Sequence, residues 1–465
     1  MRPTAPIIVL ACLVSSSAAA EPGKVFGQEV VEVEPLTDEE VVERRAGFQQ
    51  MLDEKGWVQI DDQVRPAAID GSFAQEPPPP LLQSGNPHRS TIYLNFLGLE
   101  GMSPGTNAAE DQSSCLQASM DWPGFVGNND QAFALIDVFE RNMEPYGVRI
   151  AYDVRPPKHL PYAMVMMGGL PSMLGLGGGV LGVSCSSDCA DMWWRDTTFA
   201  FTDAINPNNA DVLGTTALHE AAHAFGLAHI DDPTKIMNPF VSAGEVIWAD
   251  ECTPYNDATG GINCQGTHAS FCDGQPAQNT HAELMAYFGP NSPDITPPEV
   301  TITGPEDGVQ LAPGEAFTVT VDVSDDHDGF GWQLVVPELE QSVPAYTFEK
   351  EWTLSFPDDG EYTILVEAID HDMNEGSDQI TIFVGSAGPG DDGGGVDEGG
   401  SDDGADASGD DDDDDDDDDD SGDGTGDGGA DGGVDDRGCR VGGETPERAT
   451  WALLGLVPLM LRRRD

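Results

Sequence analysis

Residues 219–229 read His219-Glu220-Ala221-Ala222-His223-Ala224-Phe225-Gly226-Leu227-Ala228-His229. The stretch closes an apolar segment whose pattern predicts a helix from about Asp211 to Leu227. Positions four apart on a helix share a face, so His219 and His223 can hold one metal ion. Glu220 then sits one residue on, beside the open coordination position. Gly226 can adopt the left-handed conformation that ends a helix, and the returning chain can bring His229 to the same ion. Three neutral imidazoles with room for a water are the makeup of a catalytic zinc site. Met237 follows eight residues later, within Lys235-Ile236-Met237-Asn238-Pro239.

Upstream of this motif, Thr91–Phe96, Val148–Tyr152, Ala163–Met167 and Thr198–Phe201 are short β-branched and apolar runs that predict strands. Residues 130–145 predict a helix, and Thr280–Phe288 predicts another that closes the domain. Residues 88–290 are therefore expected to form an α+β unit, a mixed twisted sheet with long helices. The Gly-rich stretch Gly175–Gly182 lacks the Lys-Ser/Thr of a phosphate loop and reads as a surface loop.

The flanks differ in kind. Residues 1–20 have Arg2, the apolar run Ile7–Val14 and Ala18-Ala19-Ala20, the pattern of a secretory signal. Residues 21–87 read as a propeptide or N-terminal extension. Within them, Thr37 and Glu40 form a capping-box signature, Val41, Val42, Phe48, Met51 and Leu52 share a helical face, and Gly56 is placed to end the helix. Pro77–Pro80 form a stiff extended boundary. Residues 296–385 alternate short strands with turn residues and contain no cysteine, which predicts an all-β sandwich. Residues 386–436 hold 23 acidic residues and no Lys or Arg, so they cannot bury a core and are expected to form a disordered linker. Residues 437–465 combine Cys439, a short apolar segment (Ala449–Leu461) and Arg462-Arg463-Arg464.

The chain carries 20 Lys+Arg against 84 Asp+Glu, a formal net charge of −64. A field of that sign repels nucleic acid and anionic membrane surfaces, which excludes a nucleic-acid binder. Export places the cysteines in an oxidising compartment. The six between Cys115 and Cys272 then suggest three disulfides. Cys185 and Cys189 are close enough to close a small loop, and the cluster Cys252, Cys264, Cys272 needs at least one upstream partner. The aspartate run Asp410–Asp420 can bind Ca²⁺ weakly and without specificity. His88, His159, His268, His281, His327 and His371 have no partners at ligand spacing and read as surface or packing residues. Trp248, Trp332 and Trp352 read as core rather than as sugar platforms.

The eleven-residue histidine motif with Met237 behind it resembles the metzincin zinc endopeptidases, and the His-to-Met distance with Pro239 is most similar to the matrixin branch. The resemblance covers roughly residues 88–290. It implies one catalytic Zn²⁺ on His219, His223 and His229, Glu220 as general base, and Met237 in a tight turn beneath the metal. It also implies protein or peptide substrates. The absence of cysteine in residues 21–87 removes a matrixin-like cysteine switch, and Pro239 stands where astacin-like and serralysin-like enzymes have a tyrosine ligand. The cysteine-rich segment 252–272 has no counterpart in the family pattern and could shape the primed side of the cleft. Residues 296–385 resemble bacterial immunoglobulin-like repeats. The C-terminal segment resembles the tripartite sorting tails of Gram-negative bacteria, the myxobacterial kind in particular. That resemblance implies sorting and processing machinery as partner, transient membrane association, and display at the outer-membrane surface or release. The expected molecule is a monomeric secreted or surface-displayed zinc endopeptidase. The competing expectation is a surface adhesin with an inactive protease-like domain.

Overall fold

The computed structural model describes residues 23–60, 63–66, 89–185, 189, 195–206, 208–240, 244, 246–256, 262–344 and 350–386. The expected signal segment, the proline run, the acidic tract beyond Ser386 and the C-terminal tail lie outside these residues. Among the described residues no helix is long and apolar enough to cross a membrane.

The chain is mixed α+β followed by a β-sandwich. The first sheet is built from β1 (Ser90–Asn95), β2 (Val148–Ala151), β3 (Ala163–Met167), β4 (Gly182–Val183) and β5 (Thr197–Ala200). Its order is β4-β5-β3-β1-β2. The pairs β3–β5, β3–β1 and β1–β2 are parallel, whereas the edge strand β4 runs antiparallel to β5. Strand alternation sorts its side chains into two cores. Ile92, Leu94, Val165 and Met167 face one, together with residues of α2 (Asn129–Met143) and α3 (Ala210–Ala224). Tyr93, Met164, Met166 and Phe199 face the other.

That second core is closed by α1 (Asp38–Lys55), through Phe48, Met51 and Leu52. The expected start and stop of this helix are both present. Thr37 accepts from the Glu40 amide, Glu40 accepts from the Thr37 amide at 2.7 Å, and Gly56 takes φ 66°. Val25 belongs to the first core, and Val31 donates to Leu97 O at 2.8 Å while accepting from the Gly124 amide at 2.9 Å. The described part of residues 21–87 therefore shares both cores with the sheet, across the boundary drawn at residue 88. Two short helices, α4 (Gln265–Phe271) and α5 (Thr280–Phe288), end the motif-bearing domain.

Three disulfides are present among the described residues: Cys115–Cys185, Cys189–Cys264 and Cys252–Cys272. The short Cys185–Cys189 loop does not form; each of the two cysteines instead ties a different distant segment. The upstream partner that the 252–272 cluster needed is Cys189.

The sandwich comprises β6 (Glu299–Gly304), β7 (Val309–Leu311), β8 (Ala316–Ser324), β9 (Gly331–Val336), β10 (Gln341–Pro344), β11 (Glu351–Ser355), β12 (Gly360–Ile369) and β13 (Glu375–Val384). One sheet has the order β6-β8-β11 and the other β7-β13-β12-β9-β10. Val319, Val321, Leu334, Ile364, Val366 and Ile382 fill the space between them. Trp332 and Trp352 are buried there too, as core residues, and Trp248 is buried in the first domain. Arg89, just before β1, forms an ion pair with Asp372 at 3.1 Å, and Thr91 Oγ1 lies 2.9 Å from His371 Nδ1. The β12–β13 turn is thus joined to the first strand of the motif-bearing domain.

Candidate metal centre

The helix α3 carries His219, Glu220 and His223 on its buried side, all almost wholly removed from solvent. It ends at Ala224, three residues before the expected Leu227, with Phe225 as cap. Gly226 takes φ 92°, a left-handed value that favours glycine, and the chain reverses there as the motif required. His229 is brought back to the other two imidazoles. Its Nε2 stands 3.1 Å from His219 Nε2 and 3.0 Å from His223 Nε2.

The other ring nitrogens fix the tautomers. His219 Nδ1 lies 2.7 Å from Ile236 O, and His223 Nδ1 lies 2.7 Å from Leu227 O. A carbonyl oxygen only accepts, so each Nδ1 must carry the proton and each Nε2 must present a lone pair. The Nε2 atoms of His219 and His223 therefore converge on the third imidazole in a buried site. A cation coordinated by all three nitrogens satisfies the set, and the residues present fit a metal with nitrogen ligands. The three side chains are one of the described groups whose ligand atoms lie within 4.8 Å of one another.

Met237 is fully buried within the core that contains Leu218, Ala221 and Ala222 of α3. Its carbonyl accepts from the Ile230 amide at 2.9 Å, and the turn is closed by Asn238 N donating to Lys235 O at 3.2 Å. Met237 and the residue after His229 are thus joined directly. Asn238, which sequence reasoning passed over, adds a second tie by donating from Nδ2 to Ile230 O at 3.1 Å.

A cavity of about 440 Å³ opens at this cluster, lined by His219, Glu220, Thr215, Thr216, Ile236, Asn238 and Phe240 among others. The largely exposed Phe240 gives its rim an apolar face. Gly179 to Gly182 line its opposite part, so the tail of the Gly-rich stretch belongs to the site and is more than a surface loop. A methyl group on Gly182 would stand 2.5 Å from Glu220 Cγ and Oε1. Glycine at this position is what allows the edge strand β4 to lie against the carboxylate. No periodicity could have paired Gly182 with Glu220; only the strand topology does.

The described residues of the segment 252–272 meet the motif at His229 and Ile230. None of its described residues lines the cavity. They brace His229 instead: the Asn256 amide donates to His229 O at 3.1 Å, and Ile230 bridges to Tyr255. Of the remaining histidines, His268 and His371 are fully buried, His268 with its Nδ1 2.7 Å from Glu283 Oε2 and His371 against Thr91, and His281 is hydrogen-bonded to Tyr146 at 2.6 Å. His327 departs from its expectation. Its Nδ1 lies 2.8 Å from Asp294 Oδ2 and 2.9 Å from Asp326 Oδ1, partners that local spacing does not show as a ligand set.

No family model and no curated protein matches the chain. Solved structures with partial likeness include the fibronectin(III)-like modules of Clostridium thermocellum CbhA. These are 24% identical over 19% of this chain and 47% of that one, with a TM-score of 0.18. The PKD domain of human KIAA0319 is 16% identical over 22% of this chain and 97% of that one, with a TM-score of 0.15. A Cellulomonas fimi endo-β-1,4-mannanase double mutant is 14% identical over 48% of this chain and 53% of that one, with a TM-score of 0.14. The chain spans about half the length of the CbhA modules it matches.

Proposed function

We propose that the protein is an exported zinc metalloendopeptidase of the metzincin type, with His219, His223 and His229 as zinc ligands and Glu220 as general base. The observation that carries this reading is the convergence of three Nε2 atoms, with two Nδ1 protons committed to backbone carbonyls. When bound, zinc supplies Lewis acidity, drawing the pKa of water toward neutrality and polarising a carbonyl oxygen. Glu220, held between the two helix-borne ligands and β4, takes the proton of the attacking water and returns it to the leaving amine. Met237 gives the ligands a hydrophobic floor. The cavity beside Glu220, with Phe240 at its rim, accommodates a side chain of a peptide substrate. The edge strand β4 offers backbone groups along the same opening.

Export is supported by three disulfides within the described residues. The sandwich then serves as an accessory module, and the segment around Cys439 as the tail read by sorting machinery at the cell surface. The test is metal analysis of the purified chain, with a peptide-cleavage assay run before and after chelation. One equivalent of zinc and chelator-blocked, zinc-restored cleavage is the expected result. A chain that binds no zinc and cleaves no denatured protein would leave only the binding-protein reading.

A further inference from the structure

A second cavity, of about 630 Å³, shares no lining residue with the one at the histidine cluster. It opens at the carboxyl ends of parallel strands: Gly169 and Leu170 follow β3, and Asp203 follows β5 in a short turn of helix (Thr202–Ala204). The strand order reverses at β1, which lies between β2 and β3. Open sheets of parallel strands seat ligands in the crevice at such a reversal. Residues 30–36 of the N-terminal segment form another wall and are tied, through Val31, to Leu97 just beyond β1. The volume lies within the range of small-molecule sites.

The lining is apolar with an acidic balance. Val126 and Leu170 belong to it although they are 67% and 41% exposed, so an apolar surface reaches solvent at this opening. Glu32, Glu34 and Asp203 contribute three carboxylates, against one ammonium from Lys24. The two glutamates are exposed, whereas Asp203 is half-buried. Asp203 Oδ2 accepts from the Gly169 amide at 2.9 Å. Its buried Oδ1 accepts no hydrogen bond from any described residue, and no described cation is paired with the group. Burial pushes the carboxyl up to about 6, against the pull of the Gly169 amide and the nearby Thr202 hydroxyl. A carboxylate held this way gains from an arriving cation. The start of α2 also reaches the cavity, but its capping box takes up the Asn128 and Gln131 amides, and Asp130 adds a negative charge to its first turn. An anion therefore finds no seat there.

We infer that this cavity binds a small organic cation, a primary amine in its ammonium form on an apolar body, with Asp203 as counter-ion and Val126 and Leu170 covering the body. The ammonium answers the excess of carboxylates, and the apolar body answers a lining that a bare metal ion would leave unused. Because one wall is the segment 30–36, an occupant bridges that segment to the loops that follow β3 and β5. The site stands independently of the proposed protease activity.

The test titrates phenethylammonium bearing a para-fluorine into the full-length chain at physiological ionic strength, with fluorine relaxation as readout. The matching alcohol and the matching carboxylate serve as neutral and anionic controls. Asp203→Asn and Val126→Lys are compared with wild type, so that loose binding of amines by the acidic tract is common to all three. Wild type should show one saturable site for the amine, weaker binding of the alcohol and none of the carboxylate. Asp203→Asn, which keeps an acceptor for the Gly169 amide, should raise Kd for the amine by at least about tenfold and leave the alcohol unchanged. Equal affinity of the amine for wild type and Asp203→Asn would overturn the site, as would equal affinity of wild type for amine and alcohol. If Asp203→Asn does not fold, the exposed position decides: Val126→Lys should weaken the amine by at least about fivefold, through lost apolar cover and like charge, and undiminished affinity refutes the proposal. Absence of saturable amine binding to wild type refutes it by itself.

Discussion

Replacing Gly182 with alanine should disable Glu220 without touching the metal. The new methyl would lie 2.5 Å from Cγ and Oε1 and 2.7 Å from Cδ of Glu220, where real contacts of this kind stay beyond 3.0 Å. The carboxylate must therefore move by at least roughly half an ångström, since packing resists overlap steeply. The α3 backbone cannot move with it easily, because His219 and His223 on either side are anchored to Ile236 O and Leu227 O. The edge strand can retreat a little, being held by its pairing with Val183–Phe199 and Gly182–Ala200. A base displaced on this scale costs up to about 100-fold in kcat, equivalent to about 2.7 kcal/mol in the barrier. The assay is steady-state cleavage of a quenched peptide at matched zinc content. Zinc stoichiometry should match wild type because no ligand is removed, whereas Tm should fall modestly, since overpacking of this kind costs about 1–3 kcal/mol. Activity within threefold of wild type would refute the proposed role of Glu220 or the closeness of β4 to it. Loss of zinc in Gly182→Ala would refute the separation of base from ligands.

Glu220→Ala should retain one zinc and lose hydrolysis by at least about 10²-fold, the usual worth of a general base, read from metal content and kcat together. His223→Ala should lose zinc binding, and the apo protein should melt earlier than its own zinc-free wild type only slightly, measured by metal analysis and calorimetry. Leu52→Ala should destabilise the motif-bearing domain by about 2–5 kcal/mol in denaturant titrations, because Leu52 is core in spite of lying in the N-terminal segment. Removing residues 23–66 altogether should prevent folding. His371 is held neutral by burial, with its pKa drawn down to about 3 from 6.5. The unfolded chain then binds the extra proton, so this residue favours folding above pH 6.5 and the benefit disappears as pH falls toward 3. His371→Gln should flatten the acid limb of a Tm-versus-pH curve over that window; an unchanged limb would contradict the buried neutral state.

Local patterning accounts for much of what the sequence disclosed. The Thr37–Glu40 capping box, the strand Ala163–Met167 and the helix Thr280–Phe288 each depend on residues within a few positions of one another, and each stands where the pattern put it. The three histidines were equally legible, since a helix turn and one glycine are enough to bring them together. What stayed hidden depends on contacts between distant segments. Gly182 meets Glu220 only because β4 is the antiparallel edge of the sheet. His327 meets Asp294 across 33 positions, through the sandwich topology. The cysteine pairing follows from where the segments lie, so nearness in sequence misled for Cys185 and Cys189. The role of α1 was half legible: its apolar face was evident, but the surface it covers was not.

The three histidines do not rest on equal supports, and the disulfides make sense in that light. His219 and His223 sit on a buried helix whose own hydrogen bonds fix their spacing. His229 lies beyond the helix, on a chain that must be held from outside. Four ties do so: Asn256 N to His229 O, Gln278 Oε1 to the Ala228 amide, Ile230 N to Met237 O, and Asn238 Nδ2 to Ile230 O. Gln278 belongs to a short antiparallel pair in which it faces Thr253, and Asn256 lies two residues beyond the Pro254 end of that pair. Cys252–Cys272 closes the segment that carries it, and Cys189–Cys264 fastens that segment to the chain leading from β4. Such links act mainly by restricting the alternatives open to a loop. A region poor in regular structure thereby becomes rigid enough to place one imidazole against two that a helix already holds. The cysteine-rich insert therefore frames the three-histidine cluster from outside, although none of its described side chains reaches the cavity.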